Sequence, residues 1–257
     1  MRIIICIKQA LVAYTELKAV EGELHPVDPV NAVNECDLNA LEEALLVRNK
    51  FGGQVTAITL GPLTSLDVLI HSLAMGVDRA TRINPEGIPL ANPFCVAAAL
   101  ADVIKTLEYD LIFTGVQAVD DMFGQVGIQV AEQLGLPHVF AAMKVELDPS
   151  RQLVTVAKEI GEGLLERVEV QMPAVLTFQS GINQPHYVSV LKKMQARSKA
   201  IQTVTLGDTS EMTQFRSKLK IVGISRPKRV RTAEIIEGKP EDIALKLLKK
   251  LTEAKVI

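Results

Sequence analysis

Four short apolar runs rich in β-branched residues, at positions 3–7, 55–60, 80–83 and 111–114, alternate along this chain with longer stretches patterned at helical spacing, at 39–50, 63–75, 93–107 and 124–134. Runs so continuously apolar have no side to show to water, so their strands need cover on both faces. Parallel strands also require long crossovers, which the intervening helices supply. The alternation predicts an α/β fold built on a doubly wound, mostly parallel sheet, with any ligand at the carboxyl ends of the strands.

Past Pro137 the texture changes. Residues 143–147, 153–157 and 164–170 alternate apolar with polar, and Asp148-Pro149-Ser150 and Gly161-Glu162-Gly163 supply turns, which predicts an antiparallel addition to the sheet. Residues 173–178 return to buried-strand character. Residues 184–199 carry Lys192, Lys193, Arg197 and Lys199 with little periodicity, which predicts an exposed loop. Beyond residue 207 come a polar linker, a basic cluster at 226–231 and a helix at 240–254 whose Ile243, Leu247, Leu248 and Leu251 form an apolar stripe. Such a tail has little core of its own. We therefore expect residues 1–206 to form the main domain and 207–257 an arm that buries its stripe on another surface.

Several function classes are excluded by composition and spacing. A formal net charge of -2 gives no general pull toward nucleic acid, and the chain has no Trp for stacking on single strands. The apolar start at 3–7 is too brief for a signal peptide or a membrane span, so the expectation is a cytoplasmic protein. Cys6, Cys36 and Cys95 are widely spaced with no C-x-x-C, which suits neither a disulfide framework nor a zinc site. His25, His71, His138 and His186 are scattered, and no G-x-S-x-G is present, so a hydrolase is disfavoured.

The segment from Leu111 to Gly127 holds the chemistry. Its apolar run breaks at Gly115 and restarts as a helix, and the free N–H groups at such a helix start suit a phosphate. Gly124 and Gly127 permit close approach, and Asp120 or Asp121 could bond a ribose hydroxyl. A helix cap with no ligand would use similar residues. The spacing is neither G-x-G-x-x-G nor a phosphate loop ending in Gly-Lys-Ser/Thr.

Taken in order, Asn34-Glu-Cys-Asp-Leu-Asn-Ala-Leu-Glu-Glu-Ala44, Leu60-Gly-Pro62, Leu73-Ala-Met-Gly-Val-Asp-Arg79, Gln117-Ala-Val-Asp-Asp121, Pro173-Ala-Val-Leu-Thr-Phe178 and Asn183-Gln-Pro-His-Tyr-Val-Ser189 resemble the beta subunit of electron-transfer flavoproteins. The resemblance implies an adenine-nucleotide alpha-hydrolase-like sheet. It also implies a heterodimeric electron carrier rather than a stand-alone enzyme, with FAD shared with or held by an alpha subunit and AMP or a second FAD in the beta subunit. Carried over, Cys6 and Asn34 would line the adenosine pocket with Leu60 nearby, and Ala118, Asp121, Gly124, Gln125 and Val126 would surround ribose and phosphate. Val190 and Leu191 would dock an acyl-CoA dehydrogenase or related flavin dehydrogenase, and a membrane quinone oxidoreductase is a further partner of such carriers. Asp120-Asp121 resembles the AMP type, whereas Gln125-Val126-Gly127 resembles electron-bifurcating members, which act on NADH; both readings stay open. An adenine-nucleotide regulator of the universal-stress-protein type would share the pocket but leave residues 183–257 without a role.

Overall fold

A computed structural model describes residues 1–20, 23–206 and 233–256. Strand β1 (Arg2–Cys6) is followed by two antiparallel pairs, β2 (Gln9–Ala13) with β5 (Val30–Val33) and β3 (Glu16–Val20) with β4 (Glu23–Val27). Then come α1 (Glu35–Phe51), β6 (Gln54–Leu60), a 3-10 turn at Leu63–Ser65, α2 (Leu66–Met75), β7 (Arg79–Asn84), α3 (Pro93–Ile104), β8 (Leu111–Gly115) and α4 (Val126–Leu134). Strands β9 (His138–Asp148), β10 (Leu153–Gly161), β11 (Leu164–Gln171) and β12 (Ala174–Phe178) precede α5 (Val190–Ala196), β13 (Gln202–Thr205) and α6 (Pro240–Glu253).

Nine of these strands form one sheet in the order β11-β10-β9-β12-β8-β1-β6-β7-β13. The pairs from β12 through β13 are parallel, as is β9 with β12, while β9, β10 and β11 run antiparallel. The expected α/β sheet with its antiparallel addition is therefore present. Strand β9 starts earlier than its alternating pattern suggests because its first residues pair with β12 and its later ones with β10. Ala141, at φ 58°, marks the bend between the two roles, and its N–H donates to Thr177 Oγ1 at 3.0 Å.

The pleat sorts the core into two layers. Ile3 and Ile5 of β1 pack with Ala40, Leu41 and Ala44 of α1 and Val68 and Leu69 of α2, whereas Ile4 and Cys6 pack with Ala97, Leu100 and Ile104 of α3 and Val130 and Ala131 of α4. Helix α3 begins where expected because Asn92 Oδ1 accepts from Phe94 N at 3.0 Å and Pro93 occupies the first turn. Helix α1 begins four residues before the expected 39, its first turn carrying Glu35 and Asp37. Among the described residues, no helix is long and apolar enough to cross a membrane.

Two segments differ from expectation. The hairpin strands between residues 9 and 33 were not legible as strands, and residues 184–199 contain the helix α5 rather than only loop. Seven residues are too few to display periodicity; the helix is fixed by Ser189, whose Oγ accepts from Lys192 N at 3.3 Å, and by packing on α2. The basic cluster at 226–231 lies outside the described residues.

Gly127 sets how closely α4 approaches the sheet. A Cβ there would overlap the Thr114 hydroxyl and stand 2.7 Å from Thr177 Cγ2. Gly127→Val should therefore lower stability by about 1 to 3 kcal/mol, read as a fall in the urea midpoint with helix content retained; an unchanged midpoint would show that α4 is free to shift outward.

Candidate functional site

The chain order crosses over at β1. It passes from β1 to β6 and β7 on one side, then returns to β8 on the other, so the carboxyl ends of β1 and β8 diverge and leave a crevice. A cavity of about 170 Å³ opens there. Its walls include all eight residues that sequence reasoning assigned to a cofactor: Cys6, Asn34, Leu60, Ala118, Asp121, Gly124, Gln125 and Val126. Val190 and Leu191 are not among them; they stand on α5, exposed at 70% and 65%.

One half of the cavity is apolar. Leu60, Leu90, Pro93, Val96 and Leu100 line it, together with Cys6. Burial, with a smaller contribution from nearby Asp37, pushes the Cys6 thiol up to about 12, so it remains protonated and serves as wall. The Gly61 corner beside Leu60 is held from behind by Arg82, whose Nη1 donates to the Gly61 carbonyl at 2.8 Å. Arg82 is 5% exposed and, among the described residues, faces no carboxylate at ion-pair distance; its Nε and the adjacent Thr59 Oγ1 have no hydrogen-bond partner. Nothing in the spacing of the sequence marked this buried cation.

The other half is polar and belongs to the loop between β8 and α4. Asn34 orders that loop, its Nδ2 donating to the Gln117 carbonyl at 2.8 Å and its Oδ1 accepting from Val119 N at 3.1 Å. Lys8 Nζ lies 2.6 Å from Asp120 Oδ1 and 2.8 Å from Asp121 Oδ2. Burial lowers the Lys8 pKa, but the hydrogen bonds to both carboxylates more than offset it, and the net shift is upward. Asp121 Oδ1 also accepts from Phe123 N at 3.0 Å. The aspartates that sequence reasoning offered to a ribose are thus already neutralised in part by a lysine it did not assign to the site. Gly124 sits at φ +62°, a left-handed value that turns the loop into α4, whose N-cap residue Gln125 makes no side-chain cap. The first N–H groups of α4 are left to whatever occupies the cavity.

Asp37 is the functional residue that sequence reasoning passed over, although it stands inside the Asn34 motif. It is buried at the start of α1, where Oδ2 accepts from Lys8 N and Oδ1 from Gly115 N, each at 2.8 Å. Burial outweighs these bonds and raises its pKa from 3.8 to about 6. A raised carboxyl pKa means that the folded state holds the proton more tightly. The resulting stabilisation is complete below 3.8 and is lost as pH rises through about 6. Relative to Asp37→Asn, the wild type should therefore lose on the order of 3 kcal/mol of stability between pH 4 and 7, measured by denaturant unfolding across that range; parallel pH profiles for the two proteins would refute the assignment.

A family described as "Electron transfer flavoprotein domain" matches residues 25–209. The chain is 35% identical over 230 residues to the electron transfer flavoprotein subunit beta of Thermoanaerobacterium thermosaccharolyticum, covering 88% of this chain and 87% of that one. It is 36% identical over 209 residues to the subunit beta of Clostridium acetobutylicum, covering 81% and 80%. Against the mitochondrial subunit beta of Arabidopsis thaliana it is 35% identical over 207 residues, 80% of each chain. The family match takes in the β8–α4 loop, α5 and the cavity residues from Asn34 onward, and the chain belongs to the electron transfer flavoprotein family, among its beta subunits.

Proposed function

We propose that the cavity holds an adenosine 5′-phosphate, either as AMP or as the corresponding half of a second FAD, and that the chain works as the beta subunit of a heterodimeric electron carrier. The observation that carries this reading is the convergence of residues 6, 34, 60, 118, 121 and 124–126 on one cavity that has an apolar wall and an uncapped helix start in its lining. The apolar end, between Leu60, Leu90, Pro93 and Val96, fits a purine ring. At the polar end, α4 presents free N–H groups to a phosphate. Lys8 between Asp120 and Asp121 reduces the repulsion those carboxylates would exert on the phosphate, while leaving Asp121 within reach of a ribose hydroxyl. When flavin is bound, by this chain or by its alpha subunit, it supplies the redox chemistry; the residues here bind, orient and exclude water.

Two further surfaces complete the reading. Helix α6 has no buried residue, and its Leu247 and Leu248 are exposed. We assign that stripe to the alpha subunit, as part of an arm spanning 207–257. The exposed Val190, Leu191 and Met194 on α5, beside Lys192 and Lys193, form an apolar anchor with a charged rim suited to brief docking of a flavin dehydrogenase.

Denaturing the purified protein and identifying what is released by mass spectrometry tests the cavity: AMP or FAD supports the reading, and an empty cavity that takes up neither on incubation overturns it. Asp121→Ala should weaken retention of the released nucleotide by about 1 to 3 kcal/mol, measured by titration; unchanged affinity would reduce Asp121 to a loop anchor. Coexpression with the cognate alpha subunit should give a one-to-one flavin-coloured complex that Leu247→Asp with Leu248→Asp disrupts. A complex indifferent to that double change would remove α6 from the interface.

A further inference from the structure

Helix α5 is short and shows its apolar side chains to solvent, with only Ala196 buried. Seven residues do not hold a helix in place by themselves. What leads into it is tied to α1 by side chains that are unusual in a helix interior. Asn39 Nδ2 donates to the Asn183 carbonyl at 2.9 Å, and Asn183 Nδ2 donates back to the Asn39 carbonyl at 3.0 Å and to Glu43 Oε2 at 3.1 Å. One turn further along α1, Glu42 Oε2 accepts from His186 N at 3.2 Å and lies 2.6 Å from His186 Nδ1. A carboxylate only accepts, so Nδ1 carries the proton of that bond.

Asn39 and Glu42 are 4% and 8% exposed. Buried Asn and Glu are poor choices for a helix whose task is to cover a sheet, since both need partners to offset lost hydration. Here each finds its partner in the segment that ends at Ser189, the cap of α5. A local rule is broken here, where the segment that leads into α5 meets α1.

We propose that Asn39, Glu42, Asn183 and His186 are positioning residues for the docking helix: they pre-order α5 so that Val190 and Leu191 meet the dehydrogenase without an ordering cost at each encounter. The proposal rests on the docking reading given above. It predicts an effect on encounter, not on the cavity or on the transfer step itself.

The test uses the full chain in its complex with the alpha subunit. In His186→Ala, amides of residues 187–197 should exchange with deuterium about tenfold faster, the factor expected for losing one charge-assisted hydrogen bond, while residues 115–127 exchange as in the wild type. With an acyl-CoA dehydrogenase reduced by its own substrate as donor, KM for the carrier should rise by a similar factor at constant kcat and constant nucleotide content. His186→Asn, which returns an amide N–H near the Nδ1 position, should recover most of both effects. Unchanged exchange in His186→Ala overturns the proposal, and so does faster exchange with an unchanged KM. Val190→Ala with Leu191→Ala separates the two readings. If that variant leaves KM unchanged, the docking reading has failed; if it raises KM and His186→Ala does not, docking stands and the positioning role is overturned.

Discussion

Two backbone N–H groups lie where the sheet changes direction, those of Lys8 beyond β1 and of Gly115 at the end of β8, and both donate to the carboxylate of Asp37. Diverging strands cannot satisfy such groups between themselves, and a buried N–H without a partner is costly. A carboxylate has two oxygens and no donor, so one side chain serves both strands without introducing a new unmet group. The cost is a buried charge. The position of α1 follows from this contact, since Asp37 stands in its first turn, where the helix dipole favours an acid. Asn34, one residue before the helix, then has the β8–α4 loop within reach of both ends of its amide. Crevice, loop and covering helix are consequences of one shared acceptor.

The parts of this arrangement that were legible in the sequence are those written in local pattern. The runs at 3–7, 55–60 and 111–114 could only be buried strands, and the change of texture after Pro137 marked the antiparallel addition. The eight cavity residues were placed by resemblance in order along the chain, and the fold brings them together because they stand at or beyond the ends of β1, β5, β6 and β8. What was not legible depends on contacts between distant segments. Asp37 reads as one more acid at a helix start until Lys8 and Gly115 come beside it. Arg82 reads as a second surface charge in a strand that also carries Arg79, yet it is covered and turned to the Gly61 carbonyl. Helix α5 is set by Ser189 and by its neighbours, and short hairpin strands such as β3 and β4 pair with each other rather than with the main sheet.

The polar groups of the cavity are arranged to hold rather than to react. Cys6 is kept as a thiol by burial, Asp37 is spent on backbone donors, and the two loop aspartates share Lys8. What is left uncommitted is the start of α4 and the apolar wall facing it. Such a division of labour suits a site that binds rather than transforms, and the nucleotide proposed for it would stabilise the native state by binding that state alone.

Helix α1 touches both the cavity and the segment that leads into α5. Asp37 reaches the cavity from its first turn, and Glu42 holds the segment that leads into α5 from the next. Five residues of α-helix separate them, a rise of about 7.5 Å, and a hydrogen-bonded helix packed on a sheet neither stretches nor bends over so short a span. A rigid rod joining the crevice to the segment that leads into α5 acts as a ruler: it fixes the distance between them once, in the fold.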